Sequence, residues 1–186
     1  LRHLIFVILL NNNSERSISM INPQAILTFW FAPETQKNWF IKSEAFDLEI
    51  KNQFGQTLEQ ASRCELWRWR ENIQGRLAEI IVLDQFSRNI YRDQPTSFAQ
   101  DPLALALAQE AIDLGLDLTL EPVQRTFLYM PFMHSESKII HLEAFKLFEA
   151  LGHPLNLDFE IKHKAIIDRF GRYPHRNEIL GRISST

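Results

Sequence analysis

At 186 residues, with 45% hydrophobic and 23% charged content, the chain can bury a proper core and is neither disordered nor fibrous. A net charge of −3 argues against a general polyanion binder. The single cysteine, Cys64, excludes an intrachain disulfide framework and fits a reducing, cytoplasmic compartment; its neighbours Arg63, Glu65 and Leu66 give it no nucleophile signature.

Residues 1–19 read as foreign to the fold. Leu4 to Leu10 is an apolar run behind Arg2 and His3. It is too short for a bilayer span of about 20 residues, and no small-x-small cleavage pattern follows it. Met20 stands directly before helix-start chemistry. The expectation is a non-native or disordered extension over 1–19 and one domain over 20–186, with an N-terminal membrane anchor as the weaker alternative and no membrane partner expected.

Asn22-Pro23 reads as a helix cap and first helical residue, opening a helix through Ile26, Leu27, Trp30 and Phe31 that Pro33 stops. Ser43 caps a second helix with Phe46, Ile50, Phe54 and Leu58 on one face, weakened in its middle by Gly55. Asn72 caps a long helix reaching about Tyr91. In it Leu77, Ile81, Asp84, Arg88 and Tyr91 share one face, and Ile80, Leu83, Phe86 and Ile90 fill the other. Two apolar sides imply burial, so Asp84 needs a partner, and Arg88 one turn later is placed to be it.

Asp101-Pro102 starts a helix ending at Gly115, and Glu121-Pro122 a short one ending where Met130 meets Pro131. Met133 to Leu151 reads as one long helix closed by Gly152 and Pro154. Asp158 to Phe170 follows, with Gly171 as left-handed terminator, and Pro174 to Gly181 forms a last helix or helical turn. No segment alternates with period two for long enough to be a strand. About seven helices with short Pro/Gly punctuation make an all-α domain of stacked antiparallel pairs, without a strict 34-residue repeat.

Three motifs carry a resemblance: Leu83-Asp-Gln-Phe-Ser-Arg-Asn-Ile-Tyr-Arg92, Phe127-Leu-Tyr-Met-Pro-Phe-Met-His-Ser-Glu136 and Arg169-Phe-Gly-Arg-Tyr-Pro-His-Arg-Asn177. In order and spacing they resemble the bacterial family called domain of unknown function 924, from about Phe29 onward. Family members usually have proline where Ser87 stands, and usually continue past the segment ending Ser184-Ser185-Thr186, which is therefore expected to be a truncated end. The resemblance implies an all-helical fold, a right-handed array like that of tetratricopeptide-repeat proteins, and brings no established activity.

Residues 161–182 hold six Lys/Arg against Asp168 and Glu178, with two histidines, two glycines and a proline. Arg169, Arg172 and Arg176 flank a helix end and a helix start, where arginine forks and free backbone N–H groups suit a carboxylate or phosphate. The leading expectation is a scaffold whose Arg/His-rich corner binds an acidic peptide or small anionic ligand. It combines Arg169, Arg172, His175, Arg176 and Asn177 with Asp84, Arg88, His134 and Glu136. The alternative is a small enzyme using His134 or His175 as acid/base on an anionic substrate. Beside both stands a purely structural reading, in which these arginines pair with Asp84, Glu79 or Glu136 and lock the last helices down.

No cofactor or metal is expected. Glu160-x-x-His163 has the spacing of one half of a di-iron site, but Lys138 stands three before His141, where the second Glu belongs. His163 shares a face with Ile166, Ile167 and Phe170, as a core histidine does. His134 and Glu136, two apart, point in different directions if helical. One interleaved Tyr173 in an acidic protein argues against nucleic acid.

Overall fold

The computed structural model describes residues 21–184; the expectations for residues 1–19 and for the last two residues lie outside them. Among the described residues every regular element is helical, and no helix is long and apolar enough to cross a membrane. In chain order they are α1 (Pro23–Trp30), α2 (Pro33–Gln36), α3 (Glu44–Ser62), α4 (Ile73–Ile81), a π turn (Val82–Phe86), α5 (Ser87–Ile90), α6 (Asp101–Asp113), α7 (Pro122–His134), α8 (Lys138–Leu151) and α9 (Pro154–Phe170). Single 3₁₀ turns at Trp67–Glu71, Pro95–Phe98, Asp117–Thr119 and Pro174–Arg176 connect them.

The caps read from sequence are formed. Asn22 accepts from Gln24 N–H at 2.9 Å, Ser43 from Phe46 N–H at 3.3 Å and Asn72 from Gly75 N–H at 2.9 Å. Gly152 and Gly171 end α8 and α9 in the left-handed conformation, where other residues are strained.

Four boundaries differ. Pro33 starts α2 rather than merely stopping α1. α7 runs through Pro131 to His134, because Tyr129 to Met133 all pack inside and their burial outweighs the one hydrogen bond a proline forfeits. The long helix expected from Met133 breaks at Ser135, which is extended; Ser135 Oγ accepts from Ser137 N–H, the local alternative that serine offers to helix. α9 begins at Pro154, a favoured first helical residue, rather than at Asp158.

Helices α4 and α7 form the centre, with α1 and α6 against α4, and α6 and α8 against α7; α9 lies on α8. α3 packs on the π turn and α5. The core is strongly aromatic: Phe54 stacks on Phe86 at 5.1 Å, and Trp30 meets Phe86 and Phe127 edge-on at 5.6 and 5.5 Å. Gly75 lets α4 start close to the Trp67–Glu71 turn: a Cβ there would lie 1.9 Å from the Trp69 carbonyl oxygen.

Candidate functional site

The long fourth helix does not stay α-helical. It widens into the π turn over Val82–Phe86, and Asp84 and Gln85 sit inside that turn. Such turns are rare and concentrate at functional sites. Asp84 is only 1% exposed, yet its carboxylate is fully supplied. Oδ1 receives Arg88 Nη1 at 2.9 Å and His134 Nδ1 at 2.7 Å, and Oδ2 receives the Gln85 amide. Burial alone pushes the carboxyl up, but the Arg88 charge, His134 and these hydrogen bonds overcome it and hold the pKa down at about 2. Asp84 is therefore an ionised acceptor, which makes His134 Nδ1 the donor. Burial and the Arg88 charge push His134 below the ordinary histidine range against the pull of Asp84. The imidazole is neutral near pH 7, and its Nε2 lone pair has no partner among the described residues.

Arg88 extends the network. Besides Asp84 it donates bidentately to Asp101, at 2.9 and 3.0 Å, from the start of α6. Asp101 also takes Arg176 Nη1 at 3.2 Å, and Arg176 Nη2 donates to the His134 carbonyl at 3.1 Å. The result is a closed ring of polar contacts: Asp84, Arg88, Asp101, Arg176, His134 and back to Asp84. The Arg176 guanidinium is clamped between Phe98 and Tyr173, 4.4 and 4.6 Å from their centroids.

Four of the nine residues singled out from sequence thus meet in one ring: Asp84, Arg88, His134 and Arg176. Glu136 stands one step away, accepting from Tyr173 N–H at 2.9 Å and Arg182 at 2.7 Å. Asn177 is buried in the C-terminal turn, its Nδ2 donating to Ser184 at 3.4 Å. Arg169 lies over the Phe170 ring at 4.8 Å, and Arg172 and His175 are exposed. None of these last three lines a cleft at the ring. Glu79, offered as a partner for the C-terminal arginines, is instead held by Arg70 at 2.6 and 2.7 Å.

Glu160 and His163 diverge. Glu160 Oε1 and His141 Nδ1 share a hydrogen bond of 2.8 Å in the core, and His163 Nδ1 donates to the Phe159 carbonyl at 2.7 Å. His141 Nε2 donates to the Ser135 carbonyl at 2.9 Å and lies 3.2 Å from the Tyr173 hydroxyl, which itself donates to the Met133 carbonyl. Among the described residues no three His, Cys, Asp or Glu converge as metal ligands would.

Two clefts flank the ring, and His134 lines both. The first, of about 470 Å³, is walled by Phe98, Leu105 and Ile140 and holds Asp101 and Glu136 beside Arg176 and Arg182, charges that already neutralise one another. The second, of about 460 Å³, differs. Lys42, Arg88, Arg92 and His163 line it, with Gln85, Asn89, Met130 and Phe159, and among the described residues no Asp or Glu does. The carboxylates that fix its cations stand behind them: Asp47 takes Arg92 at 2.5 and 2.7 Å and Asn89 at 2.8 Å.

Sequence reasoning did not single out Asp101, Lys42, Asp47 or Arg92. Asp101 read only as a helix start, and Asp47, in the first turn of α3, drew no reading. Arg92 closes the first of the three motifs, which is the signal that could have found it.

The fold and ring define an all-helical protein with a polar, cation-lined cleft between packed helices. Its sequence matches the family described as bacterial protein of unknown function (DUF924) over residues 26–186, and the chain belongs to that family. A solved structure, that of the protein of unknown function ATU0120 from Agrobacterium tumefaciens, is 38% identical with a TM-score of 0.83, covering 88% of this chain and 92% of that one. No curated protein matches the chain.

Proposed function

We propose that this protein binds a small anionic ligand in the second cleft, between α5, α7 and α9, with Lys42, Arg88 and Arg92 as its cationic side. One observation carries the reading: three cations and two histidines line that cleft while every carboxylate paired with those cations lies outside its lining. Each ion pair presents its positive end inward, and a cleft of this size suits a small molecule. In this reading Arg176 and Asn177 position the C-terminal turn, and the exposed Arg169, Arg172 and His175 make a secondary, outer patch for an acidic peptide end. The tetratricopeptide-like stacking of successive helices and a cytoplasmic location belong to the same proposal.

The Asp84–His134 pair favours a second reading, an enzyme. A neutral imidazole oriented by a carboxylate through Nδ1, with Nε2 free, is arranged as a general base.

A thermal-shift screen of carboxylates and phosphates against the parent, Lys42→Ala and Arg172→Ala separates the sites. Stabilisation lost in Lys42→Ala supports the cleft. Stabilisation lost only in Arg172→Ala moves the site to the outer patch, and no stabilisation by any anion overturns the proposal.

A further inference from the structure

We infer that the ligand of the second cleft is an amphipathic monocarboxylate, one carboxylate head on an alkyl or aryl body. The inference rests on the anion-binding reading above and names the ligand class.

The walls beside the cations are apolar. Trp39, Phe40, Ile41, Met130, Met133 and Phe159 contribute to them. Phe40, Ile41 and Phe159 are 74%, 59% and 52% exposed, so three large apolar side chains line the cleft while still facing solvent. Clustered exposure of that kind marks a surface awaiting an apolar group. Met130 and Met133 are flexible and polarisable, and adapt to ligand shape.

Charge counting limits the head. Lys42, Arg88, Arg92 and Arg176 are matched by Asp47, Asp84, Asp93 and Asp101, four cations against four anions, so the ion-paired set sums to zero. A polyphosphate would add several uncompensated negative charges to that set, whereas a carboxylate adds one.

Donor counting agrees. Arg88 gives Nη1 and Nη2 to Asp84 and Asp101, and Arg92 gives Nε and Nη2 to Asp47, which leaves Arg88 Nε and Arg92 Nη1 without a described partner. Lys42 is held only by an exposed pair with Asp93, at 2.8 Å, which exchanges partners at little cost. Two guanidinium nitrogens and one ammonium are donors enough for a single carboxylate and too few for a polyphosphate.

The test is calorimetric titration of the full chain with straight-chain carboxylates from acetate to decanoate, phenylalkanoates, the matching primary amides, inorganic phosphate and ATP. Affinity is expected to climb about three- to fourfold per methylene in the alkyl or aryl series until the cleft fills. Each amide is expected to bind at least about tenfold more weakly than its acid, roughly the loss of one charged hydrogen bond, and phosphate and ATP more weakly than the longer acids. Lys42→Ala, an exposed change, is expected to weaken the acids and leave the amides unaltered. A climb in either series, with the acids ahead of their amides, sustains the inference and identifies the body. If phosphate, ATP or acetate binds as tightly as the longer acids, the inference falls and the anion reading stands. If acids and amides bind alike and Lys42→Ala is silent, or if nothing binds, both fall.

Discussion

His134 donates through Nδ1 to Asp84 Oδ1 at 2.7 Å, fastening the last residue of α7 to a π turn fifty residues earlier in the chain. The Arg88 charge, with His134 adding to it, holds Asp84 as an anion, while burial and Arg88 keep His134 a neutral ring against the pull of Asp84, with one nitrogen to spare.

Removing the Asp84 charge should therefore be costly. Asp84→Asn leaves Arg88 in a largely buried site with Asp101 as its remaining anion, and a loss of about 3 kcal/mol is expected in denaturant unfolding. The folded-state pKa of about 2 lies below the ordinary 3.8, so this contribution is complete above about pH 4 and fades as pH falls toward 2. The parent should lose stability steeply over that window, and Asp84→Asn should lose less. Parallel acid curves for the two proteins would contradict the pairing.

His134 should titrate below 6.5, its ordinary value, and carry its proton on Nδ1 at pH 7. A histidine neutral in the fold and charged when unfolded gives stability that is present above about pH 6.5 and declines as pH falls through the folded pKa. Nitrogen-15 shifts of the six histidines across pH 4–8, with His134→Gln for assignment, read both properties. An Nε2–H tautomer would be the contrary result.

Two arginines four residues apart should behave oppositely. Arg176→Ala removes a buried cation clamped by two rings, takes from Asp101 one of its two arginines and strands the His134 carbonyl, at an expected cost of about 3 kcal/mol. Arg172→Ala and His175→Ala, both exposed, should fall within about 0.5 kcal/mol of the parent. Thermal unfolding of the three variants measures this directly.

Glycines 55 and 75 should also separate. Gly55→Ala meets only the Lys51 Cγ at 3.9 Å and should stabilise by up to about 1 kcal/mol through helix propensity. Gly75→Ala drives a methyl into the Trp69 carbonyl, and should destabilise by about 1–3 kcal/mol despite the same propensity gain.

The helical class, the caps at Asn22, Ser43 and Asn72 and the two-sided burial around Ile80 to Phe86 were legible because each rests on local chemistry. The Asp84–Arg88 pair was legible for the same reason, being one turn apart. The partners of Arg176 were not: Asp101 lies seventy-five residues away, and nothing local at either position announces the other. Pro131 and Ser135 misled because local rules assign the break to the proline, while tertiary burial carries the helix through it and the serine makes the break instead. That break decides the site, since it sends His134 to Asp84 and Glu136 to Tyr173. Ser87 shows the converse: its buried hydroxyl has no partner among the described residues, which nothing in the local sequence announces.

The Arg176–Asp101 contact has a further consequence for the order in which the chain matures. During synthesis α1 to α7 can assemble, and Arg88 can find Asp84 and Asp101, before Arg176 has left the ribosome. The His134 carbonyl and the second face of Asp101 then wait, still hydrated, for a residue made more than forty positions after His134. The ring closes last. A chain still lacking its C-terminal turn leaves the first cleft open on the side that Arg176, Leu180 and Arg182 line.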